Sequence, residues 1–164
     1  MRYGILVIVG FFLIGCESSE VRKQRHLLLG NESLGKREYA QAIRSYQASL
    51  ALDSCYAHAL NNWGTALFNQ QQLAEAAELY GRSIGCDPGF LPAYLNRANT
   101  WYSLRQWQRA LKDIDFITAV KPDTLPALVL KGMIKTKQRR YAEAAAVFAG
   151  ALQFHPDNDE CAIN

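Results

Sequence analysis

Several common signatures are missing from this 164-residue chain. No apolar run is long enough to cross a membrane. The most apolar stretch, Gly4 to Gly15, has twelve residues without a polar side chain. As a helix it would reach about 18 Å, against a hydrocarbon core of about 30 Å. No glycine-rich phosphate loop, GxSxG elbow or HExxH pair occurs, and no cysteine spacing such as CxxC marks a metal site. Only three histidines are present, His26, His58 and His155, and each reads as a surface or packing residue rather than a base. A strong charge bias is also lacking. Eighteen Lys and Arg stand against fifteen Asp and Glu, for a net charge of +3, which gives no case for nucleic acid. Neither an enzyme, a cofactor nor a metal is expected.

The short leader has its own logic. Arg2 precedes the apolar stretch, which stops at Cys16, and Glu17-Ser18-Ser19-Glu20 follows. A basic start, an apolar stretch and small residues before a cut make the plan of a secretory signal peptide. Leu13-Ile14-Gly15-Cys16 resembles the lipobox of bacterial lipoproteins. The resemblance implies that residues 1–15 are removed, that the Cys16 thiol carries a diacylglycerol, and that palmitate labels the protein there. Two or three acyl chains, at about 0.8 kcal/mol per buried methylene, hold a protein firmly to a membrane. Residues 16–22 would be the lipidated cysteine and a tether. Glu17, rather than aspartate, after the cysteine implies the periplasmic face of an outer membrane. The mature chain of 149 residues suits one domain with a real core. Cys55, Cys86 and Cys161 remain, and their spacing names no disulfide pair.

The chain repeats itself at 34 residues. Pro88, Pro122 and Pro156 stand that far apart. So do Ala42, Ala76, Ala110 and Ala144, and Gly30, Gly64, Ala98 and Gly132. Tyr46, Tyr80, Ile114 and Phe148 form a further column, and Leu50, Ile84, Thr118 and Leu152 another. Several columns agreeing over four copies point to a repeat architecture. Each copy reads as two amphipathic helices. In the second copy Leu60, Trp63, Gly64 and Leu67 mark the first helix and Leu73, Ala76, Ala77, Tyr80 and Ile84 the second, with a break at Asn69–Gln72. Proline past the second helix closes each unit.

These columns resemble the tetratricopeptide repeat. The resemblance implies an all-α, right-handed α-solenoid of four helix-turn-helix units at 23–56, 57–90, 91–124 and 125–158, with 159–164 as a short tail. Ile114 and Thr118 make the third copy the least typical. In the family the first helix of each repeat lines a concave groove. Here those positions offer Asn62, Asn96 and Asn99 with Phe68 and Tyr102. An asparagine side chain both donates and accepts, so it suits a peptide backbone. Asparagine is also common at this family position, so packing and peptide contact both stay open. The carboxylate clamp of chaperone adaptors would need Lys or Arg where Leu27, Pro92 and Asn96 stand.

The expected function is a lipid-anchored scaffold of the bacterial cell envelope that holds an envelope protein's segment in the groove. Tetratricopeptide lipoproteins include pilotins that help secretins assemble and adaptors that recruit peptidoglycan enzymes, and the fold does not choose between them. A chaperone-like holder of exported chains and a non-catalytic enzyme subunit are the alternatives. Arg22, Lys23 and Arg25 are placed to rest on anionic headgroups, and Lys131, Lys135, Lys137, Arg139 and Arg140 to form a solvated face or meet an acidic partner. At the C-terminal end, apolar surface around Phe148, Ala151 and Leu152 is expected to face outward and to be covered by a second copy or a partner.

Overall fold

The computed structural model describes residues 18–154. Over that range the chain forms eight helices in four antiparallel pairs: α1 (Ser19–Gly35) with α2 (Tyr39–Leu52), α3 (Ala57–Asn69) with α4 (Leu73–Cys86), α5 (Leu91–Ser103) with α6 (Trp107–Val120), and α7 (Leu125–Lys137) with α8 (Tyr141–Phe154). Each second helix packs on the first helix of the next pair. The first helices also touch one another in the order α1, α3, α5, α7 and form a continuous row. No helix among the described residues is long and apolar enough to cross a membrane.

One contact recurs inside the pairs. A Cβ built on Gly64 would stand 2.8 Å from Cε1 of Tyr80, and one on Gly30 or Gly132 would meet Tyr46 or Phe148 as closely. Glycine at this position therefore lets a buried aromatic ring lie flat on the neighbouring helix. In the third pair Ala98 supplies the methyl group, and the ring gives way to Ile114, both fully buried. That exchange explains why the third copy departs from the aromatic column.

The turn within each pair is built without glycine. Arg37, Gln71, Arg105 and Arg139 all adopt φ between 58° and 63°. Around Gln71, the Gln72 amide donates to the Leu67 carbonyl and the Gln71 amide to that of Phe68, both at 2.9 Å. This pattern closes the helix end through a left-handed residue. The second helices are also tied to their partners. Ser49 Oγ donates to the Lys23 carbonyl at 2.9 Å, and Ser83 Oγ to that of Ala57 at 2.8 Å.

Three expectations change. Helix α1 starts at Ser19, inside the segment read as a tether, because Ser18 Oγ accepts from the Val21 amide and caps it. Lys23 does not reach toward headgroups. It is held 2.8 Å from both Glu20 and Asp53 and lies over the Tyr56 ring. Its pKa is raised, first by the hydrogen bond to Asp53. Phe148 and Ala151 do not face outward. They are buried, Phe148 over Gly132, while Leu152 is half-buried. The outward side of α8 instead carries Tyr141, Ala145, Ala149 and Phe154. Cys16, His155, Pro156, Cys161 and the tail 159–164 lie outside the described residues.

A disulfide joins Cys55 to Cys86. It links the residue just before α3's N-cap to the last residue of α4, closing the open end of that pair. Separation along the sequence could not have named it. The antiparallel pairing brings the two Cα atoms to 5.3 Å.

Candidate functional site: a cleft along the row of first helices

Four of the five groove residues line one cleft. Phe68 from α3 and Asn96, Asn99 and Tyr102 from α5 border a space of about 320 Å³, with Thr65 and Tyr80 also lining it. Burial pushes the Tyr80 hydroxyl up to about 12, so it stays protonated at neutral pH, and it donates to Thr65 Oγ1 at 3.3 Å. Asn99 Nδ2 is bonded to the Leu95 carbonyl of its own helix at 3.0 Å. Tyr102 packs against Trp107, with ring centroids 5.3 Å apart, so α6 fixes its position from behind.

Asn99 and Tyr102 also border a second cleft of about 270 Å³, whose other wall is Leu125, Pro126, Val129 and Met133 of α7. Tyr102 lines a third space as well, with Thr136 and Lys137. A fourth, of about 280 Å³, lies on the other side of Asn96 against Leu91, Pro92, Leu95, Ile117 and Lys121. A polar centre is thus flanked by apolar niches, and Tyr102 is the side chain common to three of them. No carboxylate lines any of the four, and the only charged lining residues are Lys121 and Lys137.

Asn62 is placed differently. It lines none of these clefts and belongs to a chain of bonded amides that runs from a buried member, Asn61, to the exposed Asn31. Asn96 Nδ2 donates to Asn61 Oδ1 at 2.9 Å, Asn61 Nδ2 to Asn62 Oδ1 at 2.9 Å, and Asn62 Nδ2 to Asn31 Oδ1 at 2.7 Å. The Tyr46 hydroxyl closes the chain by donating to the same Asn31 oxygen at 3.0 Å. The chain runs across α5, α3 and α1. It ties three first helices together. Asn61, only 6% exposed, is its most buried amide and was not legible as such. The one available signal was the adjacent Asn61-Asn62 pair on a helix that otherwise reads as apolar.

The remaining candidates are engaged elsewhere. His58 meets Phe90 in a tilted contact, ring centroids 4.6 Å apart, and lies near Tyr56, so it packs at a turn. Lys131 pairs with Asp115 at 2.7 Å, and Lys135 and Arg140 share Glu143. The C-terminal basic run is therefore partly neutralised within the fold. Arg97 grips Asp113 with two hydrogen bonds, at 2.9 and 2.7 Å, joining α5 to α6 beneath the cleft. Among the described residues no group of three His, Cys, Asp or Glu side chains could hold a metal ion.

Comparison with known proteins places this arrangement. The family model described as tetratricopeptide repeat matches residues 27–89 and 95–159. Among curated proteins, sperm-associated antigen 1 of Rattus norvegicus is 31% identical over 96 residues, 58% of this chain and 11% of that protein. The chain thus spans only about a tenth of that relative's length. Among solved structures, that of Pseudomonas aeruginosa pilF superposes with a TM-score of 0.81 at 15% identity, covering 90% of this chain and 67% of the other. YrrB, described as a TPR protein with an unusual peptide-binding site, superposes with a TM-score of 0.71 at 17% identity, covering 88% and 78%.

Proposed function

The chain belongs to the tetratricopeptide repeat family, and from that premise we propose that it is a lipid-anchored scaffold of a bacterial cell envelope, holding an extended segment of another envelope protein in the cleft along α3, α5 and α7. The observation that carries the binding role is the convergence of Phe68, Asn96, Asn99 and Tyr102 on one cleft between apolar niches. Amides beside aromatic rings suit a peptide backbone with apolar side chains, whatever its sequence. The absence of lining carboxylates and the presence of Lys121 and Lys137 favour a segment that is neutral or mildly acidic. YrrB, with its peptide-binding site on the same fold, supports the reading by analogy.

The anchor rests on Leu13-Ile14-Gly15-Cys16, and the Cys55–Cys86 disulfide supports export, since disulfides persist in oxidising compartments. The role is that of an adaptor without catalysis, on the periplasmic face of an outer membrane. Two substitutions test the two halves separately. Cys16→Ser is expected to abolish labelling by radioactive palmitate and to leave the precursor unprocessed. Tyr102→Ala in the lipidated chain is expected to keep the anchor and lose the partner. Normal labelling of Cys16→Ser would remove the anchor, and unchanged partner binding by Tyr102→Ala would remove the cleft.

A further inference from the structure

Helix α1 has one face that no other helix among the described residues covers. Val21 is 49% exposed, Leu28 66% and Leu29 47%. At about 100° per residue these three fall within one third of the helix circumference, together with Arg22 and Arg25. Gly30, on the far side of the helix, is buried against the rest of the fold. In the later pairs the residues equivalent to Leu29 are Trp63, Arg97 and Lys131, all half-buried. Two of them are ion-paired to a second helix, Arg97 to Asp113 and Lys131 to Asp115. An aliphatic residue stands at this position in α1, which no helix precedes among the described residues.

The sequence says what lies close to that face. Cys16 is three residues before the start of α1, and three residues of extended chain cover about 10 Å. If Cys16 is acylated, the N-terminus of α1 stands within that distance of the acyl chains. We infer that the Val21–Leu28–Leu29 face of α1 lies on the membrane surface, with its aliphatic side chains at the boundary between headgroups and acyl chains and Arg22 at the level of anionic headgroups. This rests on the proposed lipidation of Cys16. Of the carboxylates nearby, Glu32 is bonded to Lys36, and Glu20 shares Lys23 with Asp53. The two leucines contribute area and Arg22 an attraction to anionic lipid, the combination that holds a helix in the interfacial plane. The consequence is orientational. The acyl chains alone would let the stack swing freely, whereas a docked α1 sets the row of first helices, and the cleft along it, in a fixed attitude to the bilayer.

The test uses the full lipidated chain, carrying Cys161→Ser, reconstituted into vesicles of phosphatidylethanolamine and phosphatidylglycerol. A nitroxide is attached at Leu28→Cys or, as a control, at Gln108→Cys on the exposed side of α6. Electron paramagnetic resonance then compares collisions with oxygen, which concentrates in lipid, and with a water-soluble nickel chelate. The inference expects the oxygen-to-nickel accessibility ratio to be at least severalfold higher at position 28 than at 108, and Arg22→Glu to lower it in anionic vesicles. Equal ratios at the two positions in a chain that floats with the vesicles would overturn the inference and leave the anchor standing. A label at 28 that is immobilised but shielded from both reagents would show a protein neighbour, and would overturn it too. A chain that does not float with vesicles would remove the anchor, and this inference with it.

Discussion

Gly64→Ala probes the glycine–ring contact that three of the four helix pairs share. The new Cβ would stand 2.8 Å from Cε1 and 3.0 Å from Cδ1 of Tyr80, a residue 2% exposed, so the ring or the helix must shift. Overpacking of this kind costs about 1–3 kcal/mol, offset by up to about 1 kcal/mol from the better helix propensity of alanine. Tyr80→Ile alone leaves a void over Gly64 and removes the hydroxyl bonded to Thr65, for a loss of about 2–4 kcal/mol. The double variant should cost much less than the sum, because Ala98 with Ile114 already fills the same space in the third pair. The expected coupling, double minus both singles with destabilisation positive, is about −1 to −3 kcal/mol. Chemical denaturation followed by helical circular dichroism reads all four corners of the cycle. Gly85→Ala is the control, since a Cβ there meets nothing within 4 Å, and it should stabilise by up to about 1 kcal/mol. Costs that simply add, within about 0.5 kcal/mol, would refute the claim that this pair of positions is set by mutual fit.

Other expectations follow from the same contacts. Asp113→Ala leaves the Arg97 guanidinium unpaired beneath the cleft and should destabilise by about 3 kcal/mol, read as a shifted denaturation midpoint; a change below about 0.5 kcal/mol would show that water replaces the carboxylate without loss. Reducing Cys55–Cys86, or replacing both by serine, should cost about 3–4 kcal/mol through the freed loop, with a lower melting temperature under reductant; an unmoved melt would mean that the bond adds nothing to the packed pair. Asn62→Ala should cost about 1 kcal/mol of stability because it breaks the amide chain, while Asn99→Ala should lower partner affinity at nearly constant stability; the reverse pattern, measured by melting and by titration, would exchange their roles.

The 34-residue columns made the architecture legible because each marks a steric need rather than a preference. Glycine faces an aromatic ring, alanine sits at the closest approach of two helices, and proline stands past a helix end. The break at Asn69–Gln72 falls where α3 ends and α4 begins for the same reason. Other features left no such mark. The left-handed turn residues are Arg37, Gln71, Arg105 and Arg139, and neither arginine nor glutamine announces a positive φ. Phe148 departs from the expectation that it faces outward with Ala151 and Leu152. Its burial comes from its own pair, through Gly132, and does not need a following repeat. Of the groove residues, family position alone picked out Phe68, Asn96, Asn99 and Tyr102, which meet at one cleft. It could not separate Asn62 from them, because that separation depends on Asn61 and Asn31 reaching Asn62 from a neighbouring position and a neighbouring helix.

The central claim is that a partner segment occupies the cleft of the anchored chain. Photo-crosslinking in living cells tests it most directly, with a benzophenone amino acid placed at Phe68 or Tyr102 and, as the outward-facing control, at Gln108. The account predicts that both cleft positions join to the same polypeptide, within one short extended segment of it when the adduct is mapped by mass spectrometry. It also predicts that Asn99→Ala weakens that adduct and that Gln108 yields none of it. No adduct from either cleft position, or the same adducts from Gln108 as from the cleft, would contradict the account.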